Sequence, residues 1–246
     1  MKVLVLRFDA PLVSFGAPAI DAHGFVQRFP ALSMLTGMCA NALGWDHRDW
    51  RGLDRLQARM QYAARIDRQG SSLVDYQTVD LSQPSLTAEV AGWTTRGAIA
   101  QRGGGQENAS GTHQRRRHYR ADSIHTVVVT LTGDETPSVD DLERALVEPS
   151  RPLFLGRRTC IPAAPILLAT IEATSLVSAL ETVPRCERGD AGPLPASWPS
   201  NEASPGGTRG GREVATSDER DWRSRVHVGR RLVREGHVNP PEDANG

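Results

Sequence analysis

Lys2-Val3-Leu4-Val5-Leu6-Arg7-Phe8, closed by Asp9-Ala10-Pro11, is the stretch that decides the fold. A short run of leucine and β-branched residues ended by a turn signal reads as a buried strand in the middle of a sheet. Outward from it, a loop runs from Ala10 to Pro30. Ser33 then caps a helix whose inward positions Leu35, Met38, Cys39, Ala42 and Leu43 keep the i, i+3, i+4 spacing, with Gly44 as its stop. Leu53, Leu56 and Met60 predict a second, shorter helical turn, and Tyr62 to Asp67 and Leu73 to Val79 predict two strands around Arg68-Gln69-Gly70-Ser71. Ile124 to Thr132 alternates as a strand. Ser138 opens a helix to Leu146, with Asp141 at the capping-box position. Short strands at Leu153 to Leu155 and Pro165 to Ile171 complete the expected core. The order predicts an α+β, ferredoxin-like βαββαβ domain over residues 1–180, with a long insertion at 81–121. Residues 187–212, rich in Gly, Pro and Ser, read as a linker or mobile loop. Val226 to Val233 reads as a returning strand or hairpin, so 181–246 is expected as a flexible loop with a C-terminal strand or hairpin.

The 246 residues, 39% hydrophobic and 24% charged, suit one globular domain with or without an appendage and exclude a disordered chain. No apolar run approaches the roughly 20 residues that span a bilayer, and Arg7 and Asp9 interrupt the N-terminal one, so a cytoplasmic protein without a membrane partner is expected. Cys39, Cys160 and Cys186 form no CxxC pair, and no metal or other cofactor is expected. Formal net charge is zero, but of the 29 basic residues only Lys2 is a lysine. Arginine suits bidentate phosphate contact and stacking on bases, although a bias of composition accounts for the number equally well.

Position is more informative than number. Arg96, Arg102, Arg115, Arg116, Arg117 and Arg120 face a single acid, Glu107, which is six positive charges against one negative, or +5 locally. Gly103-Gly104-Gly105 lies among them, with His113 and His118 alongside and Trp93 and Tyr119 at the borders. Backbone freedom, guanidinium groups and ring faces together point to single-stranded nucleic acid. The alternatives are a solvated arginine loop, or an assembly module whose arginines meet an acidic protein. Gly156-Arg157-Arg158 at the end of a predicted strand is a second, weaker phosphate signal. His118 and Tyr119 beside the arginines also fit a metal-independent endoribonuclease, in which acid and base flank a phosphate attacked by its neighbouring 2′-hydroxyl. Asp67, Asp75 and Asp80 bracket the first predicted hairpin, where turn aspartates more often bond local backbone than a metal. No P-loop, dinucleotide fingerprint, HExxH pair or nucleophile elbow occurs.

Several separated segments together resemble the CasD family, the Cas-five subunits of type I-E CRISPR Cascade complexes. They are Leu6-Arg7-Phe8-Asp9-Ala10-Pro11 through Ser14-Phe15-Gly16; Arg28-Phe29-Pro30-Ala31-Leu32-Ser33 into Gly37 and Ala42-Leu43-Gly44; Asp75-Tyr76-Gln77-Thr78-Val79; Arg117-His118-Tyr119-Arg120-Ala121-Asp122; and Leu142-Glu143-Arg144-Ala145-Leu146 through Pro149 to Leu155-Gly156-Arg157-Arg158-Thr159-Cys160. They follow the family's order over residues 1–170. Ala31, Met34 and Phe15 stand where the family often has threonine, glycine and tryptophan.

The resemblance implies an RNA-recognition-like core of the RAMP superfamily, with the 81–121 insertion as a β-hairpin thumb. It also implies binding without cutting: the subunit would hold the 5′ handle of the CRISPR RNA (crRNA), dock the backbone and large subunits, and meet target DNA as part of the complex. Arg28, Arg96, Arg102, Arg115, Arg116, Arg117, Tyr119, Gly156, Arg157 and Arg158 are the expected RNA contacts. Type I-C relatives cut RNA with a Tyr, Lys and His set, whereas the only lysine here, Lys2, stands at the very start of the first predicted strand.

Overall fold

The computed structural model describes residues 1–20, 23–80, 92–93, 99–100, 112–203 and 211–242. In chain order the elements are β1 (Lys2–Asp9), β2 (Leu12–Val13), β3 (Gly16–Ile20), β4 (His23–Val26), α1 (Leu32–Ala42), α2 (Trp50–Arg59), β5 (Met60–Arg68), β6 (Ser71–Asp80), β7 (Gly92–Trp93), β8 (Ile99–Ala100), β9 (Thr112–Ala121) and β10 (Ile124–Leu131). They continue as α3 (Val139–Val147), β11 (Leu167–Glu172), α4 (Leu176–Thr182), β12 (Leu194–Pro199), β13 (Arg212–Thr216), β14 (Glu219–Asp221), β15 (Val226–Val228) and β16 (Arg231–Val238). The chain is a mixed α/β protein divided into two units. One comprises Met1–Pro18, Val26–Leu73 and Tyr119–Gly246; the other comprises Ala19–Phe25 and Val74–His118.

The first unit is built on a seven-stranded antiparallel sheet in the order β11-β1-β10-β5-β12-β16-β13. β1 is internal, as its apolar run predicts, because it is covered on both faces. Leu4, Leu6 and Phe8 join one core with residues of α1, α2 and α3, while Val3 and Val5 join a second core with α4, Trp198 and Val238. Residues 181–246, expected as an appended segment, belong to this unit: β12, β13 and β16 extend its sheet. The stretch read as a linker contains β12, in which Leu194, Ala196 and Trp198 alternate inward. Pro195 and Pro199 break up the β-branched pattern that would have announced a strand.

Other boundaries also moved. The loop between Ala10 and Pro30 contains β2, β3 and β4. Asp49 caps α2, and Met60 starts β5 instead of continuing the helix. Leu153 to Leu155 forms no strand, because the chain there enters a tight turn. α4 and its Ser175 capping box add a helix that the apolar pattern, only seven residues long, left unread. α3 begins as predicted, with Ser138 and Asp141 bonded reciprocally.

The largest correction concerns α1. Its N-cap is Ala31, which has no side-chain oxygen to offer, and Ser33 lies inside the helix. Asp218, 186 residues away, substitutes: its Oδ2 accepts from the Leu32 N–H at 3.1 Å, and its carbonyl accepts from the Ser33 N–H at 3.0 Å. Arg231 clamps the same carboxylate from both sides of its fork, at 3.1 and 2.5 Å, and stacks over the Tyr62 ring. The Tyr62 hydroxyl donates to the Pro30 carbonyl at 2.6 Å. The connection between β13 and β14 thus closes the N-terminus of the first helix.

In the second unit β4 lies parallel to β9, with His23 opposite Arg116 and Gly24 opposite Arg117, and β7 pairs with β8.

Asp218→Ala leaves the Arg231 guanidinium largely buried without its anion, a class of change that costs about 3–5 kcal/mol. Urea unfolding is expected to show that loss, and the Asp218→Ala/Arg231→Leu double variant is expected to recover part of it.

Candidate nucleic-acid interface

Residues 12–15 carry the basic corner of the first unit. Ser14 donates its N–H to the Leu155 carbonyl at 3.1 Å, and the Phe15 carbonyl accepts from the Gln27 N–H at 3.0 Å. Leu12 and Val13 pair with Ala121 and Arg120 of β9. Three segments distant in sequence are thereby brought to one place: 27–28, 119–121 and 155–160.

The last of these is a tight turn. Leu155 donates to the Cys160 carbonyl at 2.8 Å, and Cys160 to the Arg157 carbonyl at 2.9 Å. Gly156 has φ +97°, and a Cβ there would lie 1.8 Å from the Ser14 carbonyl oxygen, so only glycine fits. The turn throws Arg157 over the Tyr119 ring, its guanidinium carbon 4.7 Å from the centroid, while Arg158 stays exposed. Tyr119 is buried and is therefore a support for Arg157 instead of a free stacking face. Arg28 is exposed, with its guanidinium 5.6 Å from the Phe29 ring. Partial burial and the nearby Arg28 charge hold Arg120 below its ordinary pKa. Among the described residues no carboxylate is ion-paired with Arg28, Arg120 or Arg158.

In the second unit the three consecutive arginines of β9 do not act as one block. Strand alternation puts Arg115 and Arg117 on one face, and Arg116 with His118 on the other. Arg116 lies 5.9 Å from the Tyr76 ring. His118 meets Phe25 at 5.0 Å and His23 at 5.9 Å, and the His23 and Phe25 rings stack at 5.5 Å with 11° between planes. Phe25 and Tyr76 are exposed, giving this unit ring faces open to bases. Sequence reasoning missed Phe25 and His23. Their alternation in His23-Gly24-Phe25 was the available signal, hidden inside a stretch read as loop.

Of the other expected residues, Arg96 and Arg102 lie outside the described residues, and of His113 and Trp93 only the strand position is described. His118 and Tyr119 are adjacent on β9 and point to opposite faces, which opposes their joint use as acid and base on one phosphate. Lys2 begins β1, with its ammonium bound to Asp140 and, at 2.6 Å, to Glu143. Asp67 is fully buried and engaged by Arg65, Thr126 and the Cys186 N–H. Among the described residues no three His, Cys, Asp or Glu side chains converge to hold a metal ion, and no helix is long and apolar enough to cross a membrane.

A basic corner on the mixed α/β first unit, and arginines with exposed rings in the second, fit a nucleic-acid-binding class, and the comparisons give the family. Residues 3–234 match the family described as CRISPR-associated protein (Cas_Cas5), and the chain belongs to it. Within that family it is similar to the CRISPR system Cascade subunit CasD of Escherichia coli (strain K12), at 30% identity over 177 residues, which are 72% of this chain and 75% of that protein. A chain of a solved CRISPR RNA-guided surveillance complex superposes with a TM-score of 0.67 at 25% identity, covering 97% of this chain and 94% of that one. A solved Cas protein superposes at 0.65 and 24% identity, covering 98% of each chain, and shares the fold.

His125 lies beneath the corner, fully buried in β10 between Phe8 and Ile66, its ring edge-on to Phe15 at 4.8 Å. Burial pushes it down to about 4, from 6.5 when unfolded. The unfolded chain therefore takes up a proton between those values and the fold does not. The stability is fully present above pH 6.5 and is lost as pH falls toward 4, by about 3 kcal/mol in total. Urea unfolding at pH 7.5 and pH 5 is expected to show this slope, and His125→Leu is expected to flatten it; an unchanged slope in that variant rejects the assignment.

Proposed function

We propose that this chain is a non-catalytic CRISPR RNA-binding subunit of a type I-E Cascade surveillance complex. In this reading it holds the 5′ handle of the crRNA, docks the backbone and large subunits, acts in the cytoplasm, and meets target DNA as part of the complex. Its membership of the CRISPR-associated family and its likeness to CasD support a place in such a complex.

The observation that carries RNA binding is the Gly156 turn. A glycine locked against the Ser14 carbonyl fixes Arg157 on Tyr119 and leaves Arg158, with Arg28, facing outward. Preset guanidinium groups meet phosphates with little further ordering. Arg115, Arg116 and Arg117, with the open rings of Phe25 and Tyr76, supply phosphate contacts and stacking in the second unit.

A ferredoxin-like core is part of the proposal. β1, α1 with α2, β5, β10, α3 and β11 follow one another as βαββαβ, and the order β11-β1-β10-β5 supports that assignment. Residues 81–121, between β6 and β10, are the proposed thumb. The opposed directions of His118 and Tyr119, and the engagement of Lys2, favour holding over cutting.

Fluorescence anisotropy with a labelled cognate repeat RNA tests the reading. The Arg28→Glu/Arg157→Glu/Arg158→Glu variant is expected to bind at least about ten times more weakly, with a salt slope shallower by about two. Unchanged affinity defeats the placement of the site.

A further inference from the structure

The sheet of the first unit ends in two edge strands, and they differ. β13 opens on Arg212 and Glu213, both exposed, so charge of each sign guards its outer backbone. β11, at the other end, has no such guard. Among the described residues it pairs with β1 alone, and Glu172 at its last position is its only charge.

The apolar character extends beyond the strand. No residue from Thr159 to Ile171 is charged, although 24% of the chain is. Such a run belongs in a core, yet Ile161 is 67% exposed and Leu168 52%, and Ala163, Ala164, Pro165 and Ala169 are exposed with them. A bulge opposite Val5 and Leu6 sets Leu168 out of register, after which Ala169 to Glu172 follow β1 residue for residue. The strand is fixed in place from within. The Ile166 carbonyl accepts from the Arg7 N–H at 2.8 Å, Thr170 donates to Glu143 at 2.8 Å, and Ile171 packs on the second core.

We infer that β11 is a docking edge for a neighbouring protein subunit, which adds an extended, apolar segment to the sheet as one more strand. Two properties select that occupant. Outward N–H and C=O groups at strand spacing are met in full by the backbone of another strand. The absence of charge from Thr159 to Ile171 offers nothing to a phosphate chain, which the arginines of the adjoining turn would take instead. That turn, Gly156 to Cys160, leads directly into Ile161, so a subunit on β11 sits beside the proposed RNA corner. The identity of the neighbour as a Cascade subunit rests on the function proposed above; the character of the edge does not.

The test co-expresses the tagged full-length chain with the Cascade backbone and large subunits and a repeat RNA, and reads the amount of each subunit retained per tagged chain. Leu168→Glu/Ala169→Lys puts one charge of each sign on the edge and leaves net charge unchanged; it is expected to retain one of the subunits about tenfold less. Leu168→Ser is expected to give a smaller loss of the same subunit and serves if the first variant misfolds. Both isolated variants are expected to bind labelled repeat RNA as the unaltered chain does. Full retention of both subunits by both variants overturns the inference and leaves the RNA reading intact. Weakened RNA binding by the isolated variants also overturns it, since the edge would then belong to the RNA surface. So does a dimer of the isolated chain, seen by sedimentation and dissociated by Leu168→Ser, which would assign the edge to a second copy. If the unaltered chain retains neither subunit, the proposed function fails and the inference fails with it.

Discussion

The buried pair of Arg65 and Asp67 on β5 is the constraint on which the rest of the first unit hangs. Neither side chain reaches solvent. Charges so placed are tolerable only when every donor and acceptor is met. Arg65 Nε and Nη2 bond one Asp67 oxygen at 3.2 and 3.1 Å, and its remaining N–H groups cap the end of α4 at the carbonyls of Leu180, Val183 (2.7 Å) and Pro184 (2.7 Å). The other Asp67 oxygen accepts from Thr126 on β10 at 2.5 Å, and the Cys186 N–H donates to the first at 3.2 Å. One ion pair thus joins two central strands, the helix on the second core and the segment leading to β12. Burial lowers Arg65 while the Asp67 charge opposes it, and a guanidinium, unlike an ammonium, stays charged under that load.

A second charged cluster does the same for the opposite core. Asp218, Arg231 and Tyr62 tie the late strands to the start of α1. With both clusters drawing the C-terminal segment inward, the segment that follows β1 and the turn at Gly156 serve as a frame for exposed arginines. The chain uses arginine in three distinct ways: buried as a cap for carbonyls at Arg65, stacked at Arg157 and Arg223, and exposed at Arg28, Arg115 and Arg158. Zero net charge therefore conceals a protein with concentrated positive surfaces.

Legibility in the sequence followed the range of the interactions. β1, β10, α3 with its capping box and the Gly44 stop are set by neighbours within a few residues, and they were read correctly. The cap on α1 was misread because its donor set is closed by Asp218, a pairing no local pattern reveals. β12 was missed because its partners, β5 and β16, lie far away in sequence and its prolines look like breakers. At the site, Arg28, Tyr119, Gly156 and Arg157 were all named from sequence. The Ser14 carbonyl that requires the glycine, and the ring that holds Arg157, came only with the fold. Phe25 was invisible for a similar reason, since an exposed ring in an apparent loop carries no period.

The central claim is that the chain holds RNA and leaves it whole. Incubating the purified protein with labelled cognate repeat RNA in EDTA, and running native and denaturing gels side by side, separates the two acts. The account predicts a retarded band on the first gel and full-length RNA on the second. A discrete shorter product, or RNA that the protein fails to retard, would contradict it.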